Sequence, residues 1–141
     1  MRMRRTLTIW LHWGSVFLIL MMIKGGTSAP ALRWIFTAAG ALWVGMAVFG
    51  GLLGRPGPKL TGLARAAYPW MHRGMYAALA VAAGLNLVAL LGLAPRDWAW
   101  TSLLVLLAAG MLHGIFHLWR HTTLYDGALK MMAPRILHKH L

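Results

Sequence analysis

The chain has 141 residues, is 60% hydrophobic, and carries fourteen Lys and Arg against two acidic residues, for a formal net charge of +12. The basic residues sit at the ends of long apolar stretches and form no continuous basic face, which argues against nucleic acid as the partner. There is no cysteine, so disulfides, thiolate-held iron–sulfur clusters and covalently attached c-type haem are excluded. The length suits a single domain, which we expect to span residues 1–141.

Four stretches are apolar enough, and long enough as helices, to cross a hydrocarbon core, which takes about 20 residues. In chain order they are predicted at about residues 7–23, 34–54, 71–93 and 98–119, with a tail over 120–141. The connection between the third and fourth is tight, so these two helices are expected to be antiparallel neighbours. The first stretch contains a His and two Trp, so we expect it to be retained rather than cleaved as a signal peptide. The sequence therefore predicts an all-α fold, a four-helix transmembrane bundle in contact with the lipid bilayer.

Positive charge is distributed unevenly among the segments outside the predicted helix centres. Three basic residues, Lys24, Arg33 and Arg96, lie at one end of the predicted bundle. The other eleven lie at the opposite end, in the N-terminus, the second loop with the start of the third helix, and the tail: Arg2, Arg4, Arg5, Arg55, Lys59, Arg65, Arg73, Arg120, Lys130, Arg135 and Lys139. Because cytoplasmic loops carry an excess of Lys and Arg, we expect the N-terminus and the C-terminus to be cytoplasmic.

Histidines are concentrated in the cytoplasmic half of the predicted bundle. Two of the seven histidines lie in the polar tail, and the others are His12, His72, His113, His117 and His121. An ionisable residue within a bilayer segment is costly and is a functional candidate by default. Taken alone, such a histidine is more often a helix–helix hydrogen bonder than a metal ligand. For His72 and His121 the role of an interfacial polar residue is favoured, whereas for His117 a ligand or propionate partner is as plausible as interface packing.

His12 and His113 form the most informative pair because they lie at matching depth on different predicted helices. At 1.5 Å per residue, His12 lies roughly 8 Å and His113 roughly 9 Å below the cytoplasmic ends of their helices. Bis-His ligation of a haem requires such a pair, with one nitrogen of each imidazole on iron and the other bonded to a carbonyl or water. We therefore predict His12 and His113 as metal ligands.

Short motifs containing these residues carry a resemblance to a known family. They are Leu11-His12-Trp13, His72-Arg73-Gly74-Met75-Tyr76, Leu112-His113, His121, Asp126-Gly127 and Lys130-Met131. In order and spacing the chain resembles the bacterial cytochrome b561 family, four-helix proteins that bind b haem between their helices and exchange electrons with quinone. The resemblance covers nearly the whole chain. It implies haem b as cofactor, quinone or a redox protein as partner, and the bacterial inner (cytoplasmic) membrane as location.

One departure from the family pattern changes the expected number of haems. The family binds two haems, and the periplasmic one uses a histidine early in the second helix and another early in the fourth. Here the second predicted helix has no histidine and the fourth begins Trp98-Ala99-Trp100-Thr101. The resemblance then implies a single cytoplasmic-side haem on His12 and His113. A single haem leaves a long gap to the far membrane face, so electron transfer across the membrane by this chain alone is in doubt.

Further binding residues are expected around this haem. Guanidinium groups bind carboxylates in a bidentate manner, so the candidates for the haem propionates are Arg5, Arg73 and Arg120. If quinone binds, we expect it near His72, Arg73, Tyr76 and His117. The sequence has no nucleophile–base pair and no carboxylate dyad, which favours an electron-transfer protein or oxidoreductase subunit over an independent hydrolytic enzyme.

A second hypothesis is an accessory or structural subunit of a larger membrane electron-transfer complex, with a vestigial or absent haem site. The second predicted helix has a small-residue pattern, Gly40, Gly45, Gly50 and Gly51, which is typical of close helix packing. Other subunits of such a complex would then be the partners. Haem content, and whether the chain purifies alone, discriminate the two hypotheses.

Overall fold

Four long helices make up most of the computed structural model, which describes residues 2–25 and 28–140. They are α1 (Arg2–Gly25), α2 (Pro30–Gly50), α3 (Gly62–Leu90) and α4 (Arg96–Thr123). Each is long and apolar enough to cross a membrane, and the described residues contain no strand. The predicted all-α fold with four membrane-spanning helices is confirmed, and the chain is a multi-pass membrane protein.

The start of α3 differs most from the prediction. The helix begins at Gly62 rather than near residue 71, and it contains Pro69. Its first turns are rich in Ala and carry Arg65, so they favour a helix while lowering the local hydropathy. A hydropathy pattern identifies only the part of a helix that contacts lipid. The prediction from hydropathy therefore left out the first turns of α3, which are less apolar.

The other helix ends differ by a few residues, for local reasons. Two helices begin earlier in the chain than predicted. α1 begins at Arg2 rather than near residue 7, and α2 begins at Pro30 rather than near residue 34, because proline suits the first helical turn. The end of α2 comes at Gly50 rather than near residue 54, because Gly51 takes a φ of 72° that favours glycine. Beyond its predicted end, α4 continues to Thr123, and the predicted tail folds into two 3-10 helices, Ala128–Met131 and Arg135–His140.

The helices pack in sequential order around one core. α1 packs on α2, α2 on α3 and α3 on α4, with a smaller contact between α1 and α4. Met22, Phe36 and Leu103, from three different helices, are completely buried at its centre. Because lipid is as apolar as these side chains, van der Waals packing rather than water exclusion favours their contact.

The outer surface of the bundle is apolar. Phe49 is 92% exposed, and Val48, Leu112 and Leu63 are exposed to a similar extent. So many large apolar side chains exposed on one small protein are untypical of a protein surrounded by water. It is compatible with direct contact between the helices and a lipid bilayer.

A buried polar pair joins the start of α2 to the end of α3. Arg33 is only 2% exposed, and it donates from Nε to Asn86 Oδ1 and from Nη2 to the Asn86 carbonyl oxygen, both at 3.2 Å. Asn86 in turn donates from Nδ2 to the Ala82 carbonyl at 2.9 Å. This contact joins the antiparallel helices α2 and α3. The hydrogen bonds of Arg33 are accepted by two amide oxygens of Asn86 rather than by a carboxylate.

Removing the acceptor from this pair should destabilise the bundle more than removing the whole pair. We expect Asn86→Leu to lower the free energy of unfolding by about 2 kcal/mol, because the charged Arg33 then keeps buried N–H groups without their acceptor. The double variant Arg33→Met/Asn86→Leu should lose less, since no buried charge remains. Unfolding by titration with a denaturing detergent in mixed micelles measures both. A double variant as unstable as the single one would contradict this account.

Candidate metal centre

Three histidines from two helices meet at one end of the bundle. His72 of α3 and His113 and His117 of α4 are each half-buried, and one ring nitrogen from each lies within 4.8 Å of the others. Their ring centroids are 5.1 Å (His72–His113), 5.5 Å (His72–His117) and 4.5 Å (His113–His117) apart. We call these three residues the histidine cluster.

The helices explain why the cluster forms. His113 and His117 are four residues apart on α4, so their side chains lie on the same helix face, one turn apart. α3 is the antiparallel neighbour of α4, and it presents His72 to this face. Tyr68 lies one turn before His72 on α3, with its ring 4.2 Å from that of His72 and 6.1 Å from that of His117.

The hydrogen bond of His72 settles which of its nitrogens is available. Nδ1 lies 2.9 Å from the Tyr68 carbonyl oxygen. A carbonyl can only accept, so Nδ1 carries the proton and the Nε2 lone pair remains free. A ring nitrogen that donates to a carbonyl is the usual second contact of a metal-bound histidine.

His12 lies outside this cluster but close to it. Its ring on α1 is 5.8 Å from that of Trp43 on α2, and it is near enough to His113 for an electrostatic interaction between them. The Nδ1 atoms of His12 and His113 are both buried and have no hydrogen-bond partner among residues 2–25 and 28–140. Buried polar atoms almost always have a partner, so an unpaired one calls for an explanation such as an ion or ligand.

These observations test whether a haem fits. The two imidazoles predicted as its ligands come from α1 and α4, and each has an unsatisfied nitrogen inside the protein. A Cβ added at Gly14 or Gly114, the small residues beside them, would meet no other atom within 4 Å. These donors are compatible with a group held by two imidazoles, and no neighbouring atom closes off either glycine position.

A buried ion pair lies next to the histidine cluster. Arg120 donates to Asp126 Oδ2 from Nε at 2.8 Å and from Nη2 at 2.5 Å, and both side chains are 1% exposed. The Arg120 guanidinium also lies 5.1 Å from the centre of the Tyr68 ring. Asp126 Oδ1 accepts from the Ala128 amide at 2.9 Å, which fixes the chain after α4 to the end of that helix.

The remaining predicted site residues lie around these groups. Arg5 donates to the carbonyl oxygens of Lys130 and Met131 at 3.3 and 3.2 Å. Arg73 is exposed, with its guanidinium 4.9 Å from the Trp70 ring centre. Tyr76 lies 5.8 Å from the Trp43 ring, which also neighbours His12.

Sequence reasoning missed the parts played by Tyr68 and Asp126. Asp126 appears in the prediction only as part of a family motif. Asp126 is one of only two acidic residues in a strongly basic chain, and this rarity is a signal that it pairs with a buried positive charge. Tyr68 lies in the stretch taken for a loop, so its place beside the cluster could not be expected.

Comparisons with protein-family models, curated proteins and solved structures found no match. Fold and site alone therefore define the class of protein: a four-helix membrane protein with a histidine cluster at one end, capable of binding a metal.

The ion pair provides a matched test, because the chain has only two acidic residues. Asp126→Asn should lower the free energy of unfolding by about 3 kcal/mol, since it leaves the buried Arg120 without its counter-charge. Asp97→Asn, at an exposed position, should change it by less than about 0.5 kcal/mol. Detergent unfolding followed by circular dichroism measures both, and equal effects would show that the Arg120 charge is not held by Asp126.

Proposed function

We propose that this protein is a membrane-embedded b-type cytochrome with a single haem at the histidine end of the bundle, held by His12 and His113. The observation that carries the proposal is that Nδ1 of His12 on α1 and Nδ1 of His113 on α4 are both buried without a hydrogen-bond partner within the described ranges, as is Nδ1 of His121. Bis-imidazole ligation gives both rings a role, and it accounts for histidines in a membrane-spanning segment. The chemistry that such a haem supplies is reversible one-electron transfer.

The residues of this chain would hold and orient the group. His12 on α1 and His113 on α4 would supply the two iron ligands. Arg73 is the exposed candidate for a propionate, because its guanidinium packs on Trp70 and leaves its N–H groups accessible. Arg5 already donates to two carbonyl oxygens, and the charge of Arg120 is taken by Asp126, so both are weaker candidates.

Membership of the cytochrome b561 family belongs to the same proposal. It is supported by the order of the histidine motifs and by the four membrane-spanning helices. On this basis the electron partner is quinone or a redox protein. A quinone would be bound near His72, Arg73, Tyr76 and His117, of which His72 and His117 have ring centroids 5.5 Å apart.

Haem content tests the proposal directly. The purified protein should contain one haem b per chain, measured by a reduced-minus-oxidised spectrum and a pyridine haemochrome assay. His12→Ala and His113→Ala should each lose it, because one imidazole is then missing from the iron. His140→Ala, an exposed histidine near the C-terminus, should keep the full content. Haem retained in either ligand variant would overturn the assignment of the ligands.

The topology forms a second part of the proposal: the histidine end of the bundle faces the cytoplasm of a bacterial inner membrane. Eleven of the fourteen basic residues lie at this end, which is the distribution expected of the cytoplasmic side. Four antiparallel crossings then place both termini on that side.

The lack of cysteine allows a direct test of topology. Leu93→Cys introduces a thiol at an exposed position between α3 and α4, and Thr61→Cys introduces one at an exposed position just before α3. In intact spheroplasts a membrane-impermeant maleimide should label Leu93→Cys, because that connection is external. Thr61→Cys should react only after the membrane is permeabilised. The reverse pattern would show that the histidine end is external.

The alternative, an accessory subunit of a larger membrane complex, is favoured by one feature. A groove of about 400 Å³ between α2 and α3 is lined mainly by small residues, among them Gly40, Ala41, Gly45 and Gly84. Small residues allow another transmembrane helix to approach closely. Purified wild-type protein that contains no haem but carries a second polypeptide would favour this function over the first.

A further inference from the structure

We propose that the histidine cluster binds a divalent first-row transition metal, with Zn²⁺ as the representative ion, when no haem occupies His113. This inference goes beyond haem binding, because it rests on His72 and His117, neither of which is a proposed iron ligand. It begins from the convergence of three imidazoles from two helices on one point.

The spacing suits one ion. Zinc is bound by imidazole at about 2.0–2.1 Å in a tetrahedral arrangement, which places ligand nitrogens about 3.3 Å apart. The three nitrogens lie within 4.8 Å of one another, so they need to approach by at most about 1.5 Å to reach that geometry. Side-chain rotation accommodates such a shift. The pair at i and i+4 on α4 is a spacing at which two histidines of one helix bind one zinc ion.

The protonation of the cluster also suits a metal. The proton of His72 is on Nδ1, donated to the Tyr68 carbonyl, which leaves Nε2 as a ligand. His113 has a buried Nδ1 with no hydrogen-bond partner in the described chain. Metal binding requires neutral imidazoles.

The ligand set determines the class of ion. Three imidazoles without a carboxylate suit zinc, copper and nickel, whereas magnesium and calcium require oxygen ligands. The neighbouring Arg120 is paired with Asp126 at 2.5 Å, which offsets part of the repulsion between its charge and a bound cation. With three protein ligands, the fourth position of a tetrahedral ion remains for water or another small ligand.

His113 is shared between the two sites, which makes their occupants compete. A neutral imidazole has one ring nitrogen with a free lone pair, so the His113 ring cannot bind iron with His12 and a second metal with His72 and His117 at the same time. Haem-loaded protein should therefore bind no Zn²⁺ at the cluster, and Zn²⁺ bound first should block the loading of haem. The cluster would then hold the metal only in the haem-free protein.

The experiment uses the full chain in detergent micelles, expressed without haem supply and purified without a polyhistidine tag. Zn²⁺ binding is measured by competition with a chromophoric chelator, and Co²⁺ replaces Zn²⁺ as a visible-absorption probe of the geometry. We expect one equivalent of metal per chain. His72→Ala and His117→Ala should each weaken binding at least about 100-fold, because each removes a direct ligand.

Two variants separate this proposal from the haem assignment. His12→Ala should lose haem and keep Zn²⁺ binding, whereas His72→Ala should keep haem and lose Zn²⁺ binding. His140→Ala serves as the control for both, and an unchanged unfolding transition shows that each variant folds. Zn²⁺ affinity that is unchanged in His72→Ala, or lost in His140→Ala, would overturn the cluster as the metal site. Haem that is retained in His12→Ala would overturn the haem assignment alone.

Discussion

Cationic side chains that donate to backbone carbonyl oxygens organise the histidine end of this bundle. With fourteen basic residues and two acidic ones, the chain cannot pair its charges with carboxylates. Arg4, near the start of α1, donates to the Gly50 carbonyl at 2.6 Å, to the Met46 carbonyl at 3.1 Å and also to the Gly51 carbonyl. The last carbonyl groups of a helix lack hydrogen-bond donors within the helix and carry a partial negative charge. Arg4 therefore supplies donors to carbonyl groups at the end of α2, and the same hydrogen bonds attach α1 to α2.

The same interaction closes the end of the bundle over the histidines. Arg5 bonds α1 to the first 3-10 helix, and Lys59 donates to the Tyr125 carbonyl at 3.2 Å, which joins the α2–α3 connection to the segment after α4. The Arg120–Asp126 pair then fixes this segment to α4. Together these contacts join α1, the α2–α3 connection and the segment after α4 at the end of the bundle that carries the histidine cluster.

The fold class could be predicted because hydropathy and helix length are properties of each segment alone. The spacing of His113 and His117 was equally visible, since a helix repeats every 3.6 residues. The contact of His72 with His113 and His117 could not be predicted. The depth of a residue along a helix does not give the direction in which its side chain points around the helix axis. His12 and His113 were paired on depth alone. Rotation of α3 within the bundle is what adds His72 to the same group, and that rotation is set by packing of residues such as Leu79 and Ala83 against α2 and α4.

The position of His113 on α4 determines what the site can hold. α4 packs on α3 along its length and contacts α1 less closely, so His113 lies between a neighbour that carries His72 and one that carries His12. A haem needs two imidazoles on opposite faces of a plane, whereas a tetrahedral ion needs imidazoles that converge on a point. His72 and His117 converge on His113, while His12 lies outside their group beside Trp43. Under the two proposals, the helix that supplies the second ligand to His113, α1 or α3, decides between a flat cofactor and a bare ion.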